Sequence, residues 1–157
     1  MRPSRVISEW LFATLAGVFV EGATLYVPKG AVAEGILEAR GATLEDGKLI
    51  GYSITEGRIY PLATKEDVKS PYVTYDNISI SYEATKDGAE PDELTCRVMC
   101  VDRSYTAVEA LTDAVEAALN NAWIDELDSC LYLRQRRSDF DPATGEYVEE
   151  LFFYITL

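Results

Sequence analysis

Apolar residues recur at helical spacing near the start of the chain. One side of a helix would carry Val6, Trp10, Leu11, Leu15, Val18 and Phe19, which predicts an amphipathic first helix. Ser4 is a candidate N-cap, and Gly17 or Gly22 is a candidate end. Two arginines followed by an apolar run also resemble a secretory signal peptide, an alternative that Glu9 and the lack of an A-x-A site disfavour. The run is too short to span a membrane.

A second helical pattern lies between residues 106 and 121. Thr106 and Glu109 have the spacing of a capping box, in which each side chain reaches an unpaired backbone N–H group. Asn120 and Asn121 are suited to the left-handed conformation that ends a helix. The apolar stripe between these ends consists of Val108, Leu111, Val115, Ala118 and Leu119.

Alternating residues predict two strands in the middle of the chain. In residues 71–82 the alternation changes phase near Asp76 and Asn77, which predicts a β-bulge. Residues 94–102 alternate in the same way and are expected to run antiparallel to the first strand. The polar residues 83–93 between them contain Asp-Gly and Glu-Pro, and they predict an exposed loop.

The chain closes with a predicted β-hairpin. The pattern predicts strands at residues 130–139 and 146–157. It predicts the turn between them at residues 141–145 (Asp-Pro-Ala-Thr-Gly). Both faces of residues 151–157 are apolar. This strand is therefore expected to be central in the sheet or covered by a partner.

Glycine is frequent in the segment between the first helix and these strands. Residues 22–57 hold seven of the ten glycines, and the pair Asp46-Gly47 predicts a hairpin turn. The order of elements predicts an α+β fold. We expect a mainly antiparallel sheet with two helices packed on one face, a C-terminal β-hairpin and a glycine-rich hairpin insertion near residues 22–56. The 157 residues predict a single domain, 1–157.

The amino-acid composition argues against several classes of function. The chain has 14 basic and 27 acidic residues and a net charge of −13, which disfavours general nucleic-acid binding. It has no histidine, so catalytic pairs that use imidazole are excluded. Glycine-rich phosphate loops are absent as well. The sequence predicts no catalytic residue, cofactor, metal site or membrane segment, and therefore no enzyme.

The three cysteines fit a reducing compartment. Cys96 and Cys100 lie on one face of a predicted strand, where four residues separate Cα atoms by about 13 Å. A disulfide tolerates no more than about 7 Å. We therefore expect buried free thiols.

Charge is segregated in the second half of the chain. Between Ser104 and Leu133 every charged residue is acidic, and three arginines follow at once. Two interpretations are open: Arg136 and Arg137 pair with Glu149 and Glu150 across the hairpin, or an acidic and an arginine-rich surface meet between copies of the chain. The second interpretation predicts that the arginines and the acidic residues lie at contacts between subunits, and we expect the polar loop to lie there as well. The candidate interface residues are Arg134, Arg136, Arg137, Glu109, Asp113, Glu116, Lys86, Asp87 and Glu90.

An ordered set of segments resembles the tail completion or tail terminator proteins of long-tailed bacteriophages. The segments are Gly-Arg-Ile-Tyr-Pro at 57–61, Ser-Pro-Tyr-Val-Thr-Tyr at 70–75, residues 96–101 leading into Ser-Tyr-Thr-Ala at 104–107, the helix through 115–119, and the closing hairpin. The resemblance covers roughly residues 57–157 and the first helix. Residues 22–56 depart from it, because members usually reach the 57–61 segment soon after the first helix.

The resemblance implies a non-catalytic structural protein of a phage or prophage virion. Such a subunit forms a ring, typically a hexamer, at the head-proximal end of the tail tube. It ends tube growth and contacts the tail tube protein and the head–tail connector, and it is assembled in the host cytoplasm. The alternative is a bacterial ligand-binding or regulatory α+β module, with a pocket between helix and sheet.

Overall fold

A computed structural model describes residues 2–26, 43–45, 48–54, 56–61 and 70–157. Its elements, in chain order, are α1 (Pro3–Leu15), β1 (Phe19–Tyr26), β2 (Thr43–Glu45), β3 (Lys48–Ser53), β4 (Ile59–Pro61), β5 (Tyr72–Thr85), β6 (Gly88–Asp102), α2 (Tyr105–Leu119), β7 (Ala122–Ile124), β8 (Ser129–Asp141) and β9 (Glu146–Thr156). Single 3-10 turns span Glu56–Arg58 and Asp125–Leu127.

Six strands form the main sheet in the order β4-β5-β6-β9-β8-β7. All pairs are antiparallel except β4 with β5. The two helices pack on the face that carries Val98, Leu151 and Phe153, so the α+β prediction and the C-terminal hairpin are confirmed. The last strand, β9, pairs on both sides, and its predicted central position is confirmed as well.

The first helix supplies part of the core. Its residues Val6, Ile7, Leu11 and Leu15 are buried. The helix begins with Pro3 at its first turn instead of a Ser4 cap, since proline needs no N–H partner there. Gly17 has φ +86° directly after the helix, so Phe19 belongs to β1 and not to the predicted helical stripe.

The second helix follows the predicted stripe but has a different cap. Ser104 Oγ accepts from the Ala107 N–H at 3.1 Å, so the predicted Thr106–Glu109 capping box is wrong. Thr106 is the second residue of the helix. Its hydroxyl is therefore not at the N-cap position, from which a side-chain oxygen accepts from the unpaired N–H groups of the first turn. At the other end, Asn121 has φ +64°, as predicted.

The predicted bulge in β5 is confirmed. The register between β5 and β6 shifts between Asp76 and Ser79, and Asn77 has φ +50°. The extra residue reverses the side-chain phase. Val73 before the bulge and Ile80 after it therefore both pack against the core.

Residues 83–93 are not a loop, contrary to the prediction. β5 and β6 continue to Thr85 and Gly88 around a two-residue turn, where Gly88 has φ +125°. Pro91 is tolerated in this ribbon because it lies beside the register shift between Ser81 and Tyr82, and because β6 pairs with β9 only from Glu93 onward. Proline in sheets is confined to such bulges and edges. The predicted exposure is correct for residues 83–91.

Three further strands form a small antiparallel sheet in the order β1-β3-β2. The pairing of β2 with β3 brings Glu45 opposite Lys48, in agreement with the predicted hairpin, whose turn residues Asp46 and Gly47 lie outside the described residues. Residues 27–42 of the predicted insertion also lie outside them.

The cysteines are free thiols. Cys96 and Cys100 are buried, and burial raises the pKa of each thiol to about 12. Both stay protonated and unreactive at neutral pH. Within the described ranges, no helix combines the length and apolar character needed to cross a membrane.

Candidate assembly surface

Arg136 faces the helices. Its guanidinium lies 2.7 Å from Glu149 on β9 and 2.7 Å from Asp113 on α2, with Glu116 at 3.8 Å. The Glu149 side chain is only 2% exposed, so this arginine neutralises a carboxylate that has little access to water. Arg136 thereby connects α2 to the sheet within one subunit.

Arg134 and Arg137 lie on the opposite, open face of the sheet. Arg137 pairs with Glu150 at 2.9 Å, as one of the two sequence interpretations proposed. Arg134 pairs with Glu93 at 3.1 Å. The side chains of Arg134 and Arg137 remain 50% and 57% exposed, and at that exposure such ion pairs contribute little to stability.

Aromatic rings surround these two arginines. The guanidinium carbon of Arg134 lies 4.3 Å from the centre of the Tyr154 ring, and that of Arg137 lies 5.7 Å from the Phe152 ring. Tyr132 packs against Tyr154 with ring centres 5.8 Å apart. Register places Trp123 opposite Cys130, which is on the same face as Tyr132. We call Trp123, Tyr132, Phe152, Tyr154, Arg134 and Arg137 the aromatic strip.

The strip is exposed and pre-formed. Trp123 is 53% and Tyr132 41% exposed, and neither α1 nor α2 packs on this side of the sheet. Cross-strand ring contacts and cation–π contacts hold Tyr132, Phe152, Tyr154 and the two arginines in place. Tryptophan, tyrosine and arginine are the residue types that dominate binding energy at protein–protein interfaces.

An ion network fills the rest of the open face. Arg97 donates two hydrogen bonds to the Asp76 carboxylate, at 2.7 and 2.6 Å, and a third to Glu150 at 3.1 Å. These bonds raise the pKa of Arg97, chiefly through Asp76. The side chains of Asp76 and Glu150 are 11% and 7% exposed. The network therefore neutralises two nearly buried carboxylates at the centre of the sheet.

The end of the β5–β6 hairpin projects beyond the sheet. We call residues 81–93 the acidic arm, because it holds five carboxylates and one lysine. Lys86 and Asp87 form its turn, and Glu90 lies directly opposite Glu83. Residues 81–91 are exposed.

The structure thus divides the predicted interface residues into three groups. Arg136, Asp113 and Glu116 come together beside α2, where Glu109 raises the pKa of the neighbouring Tyr105 hydroxyl. Arg134 and Arg137 lie on the other face of the sheet. Lys86, Asp87 and Glu90 lie in the arm, which is continuous with β5 and β6. The acidic flank of α2 and the two open-face arginines do not meet within one chain.

Sequence reasoning missed the strip as a unit. Phe152 and Tyr154 were visible as the second apolar face of the last strand. Trp123 had no such pattern, because β7 has only three residues. The Arg97 network was also missed, although Arg97 is the single charged residue of the alternating stretch 94–101.

A small hollow lies between α2, the end of β3 and the start of β5. It is lined by residues that include Tyr52, Val73 and Leu111, and its volume is about 10 Å³. A metabolite site usually needs roughly 300–1,000 Å³. Between these described residues there is space for about one water molecule, which does not fit the pocket of the alternative ligand-binding hypothesis.

Comparison with known proteins identifies the family. The family model of Tail completion protein gp17 matches residues 51–153, about two thirds of the chain. No curated protein sequence matches it. Among solved structures, a chain of the virion of a native gene transfer agent particle superposes with a TM-score of 0.52 and 14% identity, covering 64% of this chain and 78% of that one. At that identity the likeness concerns the fold. With a tail-completion match over most of the main sheet and α2, the chain belongs to the Tail completion protein gp17 family and has a structural role in a phage tail.

Proposed function

We propose that this chain is a non-enzymatic subunit that assembles with copies of itself into a ring at the head-proximal end of the phage tail tube. The ring ends tube growth and joins the tube to the head connector. We infer six-fold symmetry and assembly in the host cytoplasm from the family resemblance. The partners are the tail tube protein and the head–tail connector protein.

The exposed aromatic strip is the observation that carries this proposal. A head-to-tail ring needs two different complementary surfaces on each subunit. The open sheet face offers one, with rings and arginines that no element of the subunit covers among the described residues. The acidic arm offers another. Both are protruding or flat surfaces, suited to contact with other proteins.

The remaining acidic surface is assigned to other contacts. The flank of α2 carries the acidic residues Glu109, Asp113 and Glu116. Arg136 partly neutralises the charge of Asp113 and Glu116. We propose that this flank faces another virion protein. The net charge of −13 disfavours adhesion of the free subunit to nucleic acid during assembly.

Electron microscopy of particles made without this chain tests the role. We expect full heads and free tails that are not joined, with tube lengths that vary more than in normal particles. Wild-type protein supplied separately should restore joining. Joined particles with tails of uniform length in the absence of the chain would contradict the proposal.

A further inference from the structure

Among the residues that the structure describes, few pack against the acidic arm within its own subunit. Residues 81–91 are exposed, and the last pairing of β6 with β9 is Glu93 with Thr156. A two-stranded ribbon without a packed face is only marginally stable in water. The arm therefore has the properties of a segment that gains its burial from another chain.

Two carboxylates repel each other in this arm. Glu83 and Glu90 are directly opposite in the β5–β6 ladder, a position that brings Cβ atoms within about 5.5 Å. Among the described contacts neither carboxylate has a cationic partner. Like charges at such a pair destabilise a ribbon, and a cation from outside would relieve the repulsion. The neighbouring pair, Tyr82 with Pro91, is exposed on the other face of the ribbon.

The aromatic strip has the complementary chemistry. Among the described contacts, Arg134 uses only Nη2 for Glu93, and Arg137 uses only Nη2 for Glu150. A guanidinium has five N–H donors, so each arginine keeps donors for a further carboxylate. The adjacent rings of Trp123 and Tyr132 are large exposed apolar surfaces.

We propose that the aromatic strip of one copy binds the acidic arm of a second copy. Arg134 or Arg137 then bridges Glu83 and Glu90, and the rings beside these arginines cover the same face of the ribbon. The base of the arm, Glu93, contacts Arg134 of its own subunit, whereas residues 83–90 extend β5 and β6 past the end of β9. Because the arm and the strip are different surfaces, the contact is head-to-tail. This inference rests on the proposed function, because it specifies how the copies of the ring meet.

Sedimentation velocity on the full-length chain, with two complementary variants, tests the contact. The arm variant is Glu83→Lys/Glu90→Lys, and the strip variant is Trp123→Ala/Arg134→Glu. All four side chains are substantially exposed, and unchanged urea midpoints would verify folding. Asp125→Lys/Glu126→Lys and Arg5→Glu are controls with matched charge changes at other exposed positions.

Each variant alone should associate at least about 30-fold more weakly than wild type, the effect of losing one interface hot spot. An equimolar mixture should form a dimer and nothing larger, because only one intact arm meets one intact strip. The controls should assemble like wild type. If the strip variant unfolds, Arg134→Gln/Arg137→Gln takes its place, and the same mixing result is required.

The outcomes separate the two proposals. If wild type and both variants assemble equally, the ring survives and the arm–strip contact is wrong. If the variants are monomeric but their mixture gives no dimer, the contact is likewise wrong. If wild type stays monomeric at every concentration, the ring itself is contradicted, and the contact with it.

Discussion

The guanidinium of Arg134 lies over the ring of Tyr154, 4.3 Å from its centre. The two residues belong to adjacent strands, on the sheet face opposite α1 and α2. Phe153, the neighbour of Tyr154, points to the other face and is 1% exposed. One strand thus carries core on one side and candidate binding surface on the other.

Because Phe153 and Tyr154 face opposite sides of the sheet, substitutions at these two positions should separate effects on stability from effects on assembly. We expect Phe153→Ala to lower the free energy of unfolding by about 3–5 kcal/mol, because it leaves a cavity in the core. Tyr154→Ala should cost only about 1–2 kcal/mol, from a lost ring pair and cation–π contact, yet weaken self-association more than any loss of folded protein explains. Urea denaturation and sedimentation on both variants check this. Equal effects of Tyr154→Ala and Phe153→Ala on stability would refute it.

Arg97 should be the most sensitive charged residue of the open face. Arg97→Met removes the cation shared by Asp76 and Glu150, whose side chains are 11% and 7% exposed. We expect a loss of about 3 kcal/mol in the free energy of unfolding, because an uncompensated buried charge is costly.

A triple variant tests whether charge causes this loss. Arg97→Met/Asp76→Asn/Glu150→Gln should recover most of the stability, since no carboxylate is then left unpaired. Arg103→Met, an exposed site with the same change of charge, should have little effect. A triple variant no more stable than Arg97→Met would show that packing, not charge, explains the loss.

Asp102 should make stability depend on pH. Burial is the main cause that raises the pKa of its carboxyl from 3.8 to about 6. As pH rises above 4, the unfolded chain loses this proton first, so the free energy of unfolding falls until about pH 6 and stays lower above it. We expect this group to cost about 2–3 kcal/mol at pH 7 relative to pH 4.

The variant Asp102→Asn isolates this contribution. Its Oδ1 atom still accepts from the Arg103 N–H, a bond of 2.7 Å in the wild type, but it has no proton to lose. The difference in unfolding free energy between variant and wild type should move in favour of the variant from pH 4 to pH 7. Parallel curves would exclude Asp102 as the source.

Cys130 offers a chemical probe of the strip. It lies opposite Trp123 and is half-buried, whereas Cys96 and Cys100 are buried. Alkylation of the native protein followed by mass spectrometry should modify Cys130 first. Under conditions of assembly its labelling should slow, because the arm of a second copy covers it. Faster labelling of Cys96 or Cys100 would disagree with the described core.

The local sequence pattern predicted most of the helices and strands, but it did not predict which distant residues each of them contacts. The phase change at Asp76 and Asn77 and the two apolar faces of β9 correctly predicted the bulge and the central strand. The acidic arm was mistaken for a loop because its Asp-Gly and Glu-Pro pairs favour turns, while its strands extend a register set by residues far away. The pairing of Arg136 with Asp113 was not predictable either, because only the packing of α2 on the sheet brings them together.

Light scattering of the wild-type chain over a series of protein and salt concentrations tests the central claim, that this subunit acts by assembling with its own copies. The claim predicts that at low salt the molar mass rises with protein concentration and levels off at the mass of a closed ring. Added salt should lower the mass, since charged contacts are screened. A mass equal to one chain at every protein concentration in low salt would contradict it.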